Sequence, residues 1–121
     1  MIEIKNTGVG HWLGYEFESM SVNSPEFEEF AADWKRVFTK MLAGKFRVFV
    51  RVGHFNLCGF ARNLKTDKAA YFSISDVRHF PNDWYKCILV RTAEGVKDYT
   101  GGSNHYAEWD NIESVLERLT S

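Results

Sequence analysis

A chain of 121 residues is the size of a single domain, able to bury roughly two-thirds of its unfolded surface without disulfide or metal staples. Hydrophobic content of 45%, with only two prolines and nine glycines, excludes an intrinsically disordered chain. Fifteen basic against sixteen acidic residues give a net charge of −1, which excludes a generally basic nucleic-acid-coating protein but leaves room for a local basic patch.

The first predicted elements are a turn at Asn6-Thr7-Gly8-Val9-Gly10 and a strand over 12–18, with Leu13, Tyr15 and Phe17 alternating against Trp12, Glu16 and Glu18. Asn23-Ser24-Pro25 announces a helix: Ser24 can cap free backbone N–H groups, and Pro25 suits the first helical position. Glu26, Glu28 and Glu29 lie at the positive end of its dipole. The helix is expected over about 25–43, ending at Gly44, with Phe27, Phe30, Trp34, Phe38, Met41 and Leu42 as its core stripe.

A hairpin follows, with strands over 46–52 and 55–62 joined by Gly53-His54 as a two-residue type II′ loop. That loop places Val52 opposite Phe55, Val50 opposite Leu57 and Val48 opposite Gly59, on one apolar face. The opposite face carries Arg47, Phe49, Arg51, Asn56, Cys58, Phe60 and Arg62. Further strands are expected over 69–75 and 84–91, separated by a loop, the latter nearly continuous in apolar character. After the turn at Tyr99-Thr100-Gly101-Gly102-Ser103-Asn104, a final helix is expected over about 105–119, with Trp109, Ile112, Val115, Leu116 and Leu119 inward. The order β-α-β-β-β-β-α is that of a single α+β domain with an antiparallel sheet of four to five strands and two helices.

Two places carry chemistry. Arg47, Phe49, Arg51, Phe60 and Arg62 interleave cations with aromatic rings, a pattern that serves partner binding or the stacking of unpaired bases. The sheet lacks an RNP-type motif, and the final helix, needing somewhere to pack, is expected to cover Phe49 and Phe60. The second place is the turn before that helix: Arg91, Lys97, Thr100, Gly101, Gly102, Ser103 and Asn104 could cradle an anion against free N–H groups, although the spacing is not that of a P-loop.

Catalytic signals are weak. His105 and Glu108 at a helix start could contribute two metal ligands, but nothing brings in Asp76, His79 or Asp83 as a third, and no metal is assigned. Cys58 and Cys87 lie within strands, outside any CxxC pattern, and read as buried thiols of a reducing compartment. Ser73, Ser75, Glu16 and Glu18 read as ordinary outward strand residues, and neither GxSxG nor HExxH occurs.

The sequence therefore points away from an enzyme, calls for no cofactor, and favours a non-catalytic binding protein that occupies a partner's surface, as an adaptor or inhibitor does. Small phage- or plasmid-encoded antagonists of host nucleic-acid machinery belong to that class. The expected partner is another protein; the alternatives are nucleic acid on the Arg/Phe face and a nucleotide or phosphate ligand at the Gly-Gly turn. With no apolar leader at Met1-Ile2-Glu3-Ile4-Lys5 and no stretch near the ~20 apolar residues of a membrane span, no membrane partner is expected and the location is read as cytoplasmic.

Overall fold

The computed structural model describes residues 25–53, 56–74, 88–98 and 102–121. Its first helix, α1, is Pro25–Leu42. Pro25 occupies the opening position, where a missing N–H leaves no hydrogen bond unmade. Phe27, Phe30, Trp34, Phe38 and Leu42 are all buried, and Ala31 and Val37 widen the stripe. Lys35, Arg36, Thr39 and Lys40 are exposed. Gly44 then takes φ of 91°, a left-handed turn that strains any residue with a Cβ, and Lys45 N donates to Leu42 O at 3.2 Å.

Five antiparallel strands follow in strict chain order: β1 (Phe46–Val52), β2 (Leu57–Asn63), β3 (Ala69–Ile74), β4 (Ile88–Ala93) and β5 (His105–Ala107). With the second helix, α2 (Ile112–Leu119), they make the expected α+β architecture. The predicted strand over 12–18 and the 84–87 part of the predicted fourth strand lie outside the described residues.

The hairpin register differs from expectation by two residues. Val52 pairs with Leu57, Val50 with Gly59, Phe49 with Phe60 and Arg47 with Arg62. The connection runs from Gly53 to Asn56, closed by Gly53 N donating to Asn56 O at 2.9 Å. Gly53 is not among the residues of positive φ, so the type II′ turn that would demand it is not formed. Instead the Asn56 side chain lies where a Cβ on Gly53 would stand. The longer loop brings Gly59 opposite Val50; on its other side Gly59 faces Phe72 of β3, whose ring covers the space a side chain would fill. A slip of one residue would have exchanged the two faces of the strand; a slip of two preserves them.

The chain after Asn104 also differs from expectation. His105 pairs with Val90 and Ala107 with Ile88, so these residues form an edge strand and the helix begins only at Ile112. Between them, Asn111 Oδ1 accepts a hydrogen bond from Glu108 N at 2.8 Å, a side-chain turn that competes with helix. Trp109 is buried within this turn.

Both helices pack on the same face of the sheet. Trp34 stacks on Phe38 (4.5 Å between centroids) and lies 5.9 Å from Phe72 and 6.2 Å from Trp109. Ile112, Val115 and Leu116 join this cluster, which draws on all five strands. The expectation that α2 covers Phe49 and Phe60 is therefore corrected: its apolar side meets α1 and Phe38 through Trp109, away from those rings. Among the described residues no helix is long and apolar enough to cross a membrane.

A polar clasp ties the end of α2 to the β2–β3 turn. Asn63 Nδ2 donates to Thr120 Oγ1 (3.0 Å), Thr66 Oγ1 to Thr120 O (2.6 Å) and Lys68 Nζ to Ser121 O (2.9 Å). Asn63 Oδ1 also accepts from the N–H groups of Lys65 and Thr66, shaping the turn itself. Beside the clasp, Lys45 Nζ donates to Glu117 at 2.8 Å; that bond, with the charge of Glu113, holds the lysine above its ordinary pKa.

Candidate functional site

The face opposite the helices is built by period-two alternation through four pairings. Its rows read Arg51–Cys58–Ser73–Leu89–Tyr106, Phe49–Phe60–Tyr71–Arg91 and Arg47–Arg62–Ala69–Ala93. The five expected partner-binding residues, Arg47, Phe49, Arg51, Phe60 and Arg62, are thus brought together as the sequence implied. Tyr71 and Tyr106 join them and were missed, and so does Arg91, which was expected at the Gly-Gly turn instead. Their signal was the parity of β3 and β4, which could be used only once those strands were aligned with the hairpin.

Among the described residues the charges that the strands place on this face are one-sided. None of the five strands contains Asp or Glu, and all four of their arginines (Arg47, Arg51, Arg62 and Arg91) fall on this side. Arg47 and Arg62 are direct cross-strand neighbours, an arrangement that costs stability. Arg62 Nε lies 3.7 Å from Asp67 Oδ1 at the sheet's end. Arg47 and Arg51 are exposed and make no ion pair among the described residues.

The rings support the guanidinium groups. Arg47 lies over Phe49 at 5.3 Å from its centroid and Arg91 over Tyr71 at 5.2 Å, both within cation–π range. Phe60 meets Tyr71 edge-on at 5.5 Å. Phe60 is buried at 2% exposure, Phe49 and Tyr71 are half-buried, and Tyr106 is 60% exposed. Burial pushes the Tyr71 phenol above its ordinary pKa of 10.0, with Cys58 adding to the rise while Ser73 and Arg91 oppose it. At neutral pH Tyr71 is therefore uncharged and adds no negative charge beside the strand arginines.

The second candidate does not assemble in the same way. Arg91 points to Tyr71, whereas its neighbour Thr92, on the helix-bearing face, meets Gly102. Gly102 has φ of 78°, and a Cβ there would come 2.5 Å from the Thr92 carbonyl oxygen, so the glycine is needed for backbone approach within the protein. Ser103 and Asn104 are exposed and lead into β5; they do not stand at a helix start, and the expected N–H cradle loses its basis. Lys97 is exposed, and Thr100 and Gly101 lie outside the described residues. A shallow cleft of about 450 Å³ at this end is lined by Asp67, Glu94 and Asp98 with Lys68 and Gly102, a set that repels an anion.

His105 lies in β5 and Glu108 beyond it, so the expected helical pairing of these two is absent. Asp76, His79, Asp83 and Cys87 fall outside the described residues. Among the described residues no group of three or more His, Cys, Asp or Glu side chains is placed to hold a metal ion. Comparison with protein-family models, curated proteins and solved structures finds no match for this chain.

Proposed function

We propose that the protein is a non-catalytic binding protein that acts by covering an anionic surface of a macromolecular partner, in the manner of an adaptor or inhibitor. The observation that carries this reading is the segregation of the strand arginines. Four guanidinium groups share one sheet face with no strand carboxylate, in a chain whose net charge is −1. Random surface composition would mix the signs, and opposing Arg47 to Arg62 sacrifices stability that a Thr or Glu would supply. Arginine and aromatic residues are also the side chains that carry most binding energy at interfaces.

The test is photo-crosslinking in cells from benzoylphenylalanine at position 49. A discrete adduct is expected, and it should disappear when Arg47→Glu and Arg51→Glu are added. Both arginines are exposed, so the reversal should shift stability by no more than about 0.5 kcal/mol per site apart from the cross-strand term. An adduct unchanged by the reversal would refute the reading.

A further inference from the structure

Resting on that reading of the face, we infer that its partner is unpaired nucleic acid, bound with bases on the rings and phosphates on Arg47 and Arg51. Side chains on one face of a strand recur about every 6.6 Å, so Arg47, Phe49 and Arg51 form a line roughly 13 Å long with a ring between two cations. A single strand offers the complementary alternation of phosphate and base, and sheets that bind such strands combine cationic tracks with stacking rings. Neither arginine is committed to a carboxylate among the described residues. Arg47 already lies over Phe49, 5.3 Å from its centroid, so cation and ring stand together where a base can stack.

A protein partner fits less well. The large apolar side chains exposed among the described residues are Val52, Leu64 and Tyr106. They stand at the end of β1, in the β2–β3 turn and on β5, so they make no contiguous apolar centre of the kind that anchors protein interfaces. A duplex fits less well too, because its bases are stacked inside and a sheet of short rings cannot reach them.

Fluorescence anisotropy on the full chain decides the matter, with labelled oligothymidylate and oligouridylate of roughly 12 nucleotides, a duplex of equal length and polyglutamate of equal charge. The single strands should bind more tightly than either other probe, with affinity falling as salt rises. Arg47→Ala with Arg51→Ala should weaken binding roughly ten-fold or more and reduce the slope of log K against log salt by about 1.4, or 0.7 per phosphate contact. Phe49→Leu keeps an apolar side chain but removes the ring; it should weaken binding roughly five-fold while leaving the salt slope unchanged and lowering the melting temperature only slightly, by the lost contact with Arg47. Polyglutamate bound as tightly as the oligonucleotides, with Phe49→Leu neutral, would overturn the inference and leave the anionic-partner reading standing. Failure of every oligonucleotide to bind, with a crosslink at position 49 still lost on arginine reversal, would do the same. If neither crosslink nor binding depends on the face, both fall.

Discussion

The two faces of the sheet are made by the same five strands and differ in what they ask of each residue. On the helix-bearing face Leu57, Phe72, Ile74, Ile88 and Val90 are fully buried against Trp34, Phe38 and Trp109. On the other, Arg47 and Arg51 stand in solvent beside a half-buried Phe49. Neighbouring residues such as Val50 and Arg51 therefore belong to separate problems, one of packing and one of recognition. Substitutions one residue apart should fail in different assays.

The largest effect is expected in the core. Trp34→Ala removes a fully buried indole in contact with Phe38, Phe72 and Trp109, and should cost about 3–5 kcal/mol, read as a lowered denaturation midpoint. Its Nε1 makes no hydrogen bond, so Trp34→Phe should retain much more of the stability than Trp34→Ala. An equal loss in both variants would show that the indole contributes more than volume.

Gly59→Ala should come next, at about 1–3 kcal/mol. The added methyl would meet the Phe49 carbonyl oxygen and the Phe72 ring, and a backbone oxygen cannot rotate aside. Because Gly59 is on the packing face while Phe49 and Phe60 project from the other, this variant also tests whether damage crosses the sheet. Thermal melting and the crosslink at position 49 would be measured together, and the comparison predicts that binding survives wherever the fold does.

A smaller loss is expected at the clasp. Asn63→Ala removes the bond to Thr120 and two bonds that shape the turn, about 1 kcal/mol each at most, in a double-mutant cycle with Thr120→Val. Coupling energy should be confined to the Asn63–Thr120 bond. The smallest effect has the opposite sign. Arg47→Glu replaces a like-charge pair with Arg62 by an opposite-charge pair and should stabilise the protein by about 0.2–1 kcal/mol while weakening binding. A variant that is less stable and binds normally would break the division between the faces.

The sequence was most readable where the periodic signal was long and local. The α1 stripe needed only spacing, and Gly44 marked its end. The faces of the hairpin were readable because alternation survives a two-residue slip; the register was not, because Gly53-His54 satisfies the composition of a short loop while the closing bond falls between Gly53 and Asn56. The strand at His105–Ala107 was hidden for a similar reason. Its apolar spacing runs on into α2, and what makes it extended is pairing with β4, which no local window contains. Arg91 shows the consequence for the site: seen beside a glycine turn it suggested an anion cradle, while in the sheet it lies over Tyr71.

The meander order of the strands also bears on how the chain acquires its shape. Each strand pairs with its predecessor, so every ladder can grow by adding the next segment, and little loop entropy is spent before a contact is made. The contact between Trp34 and Trp109 is the opposite case, joining the start of the described chain to its end. Sheet growth should therefore run ahead of core closure. In that interval the aromatic stripe of α1 would wait beside an incomplete sheet until β5 and α2 arrive, and it would be the surface most prone to self-association during synthesis.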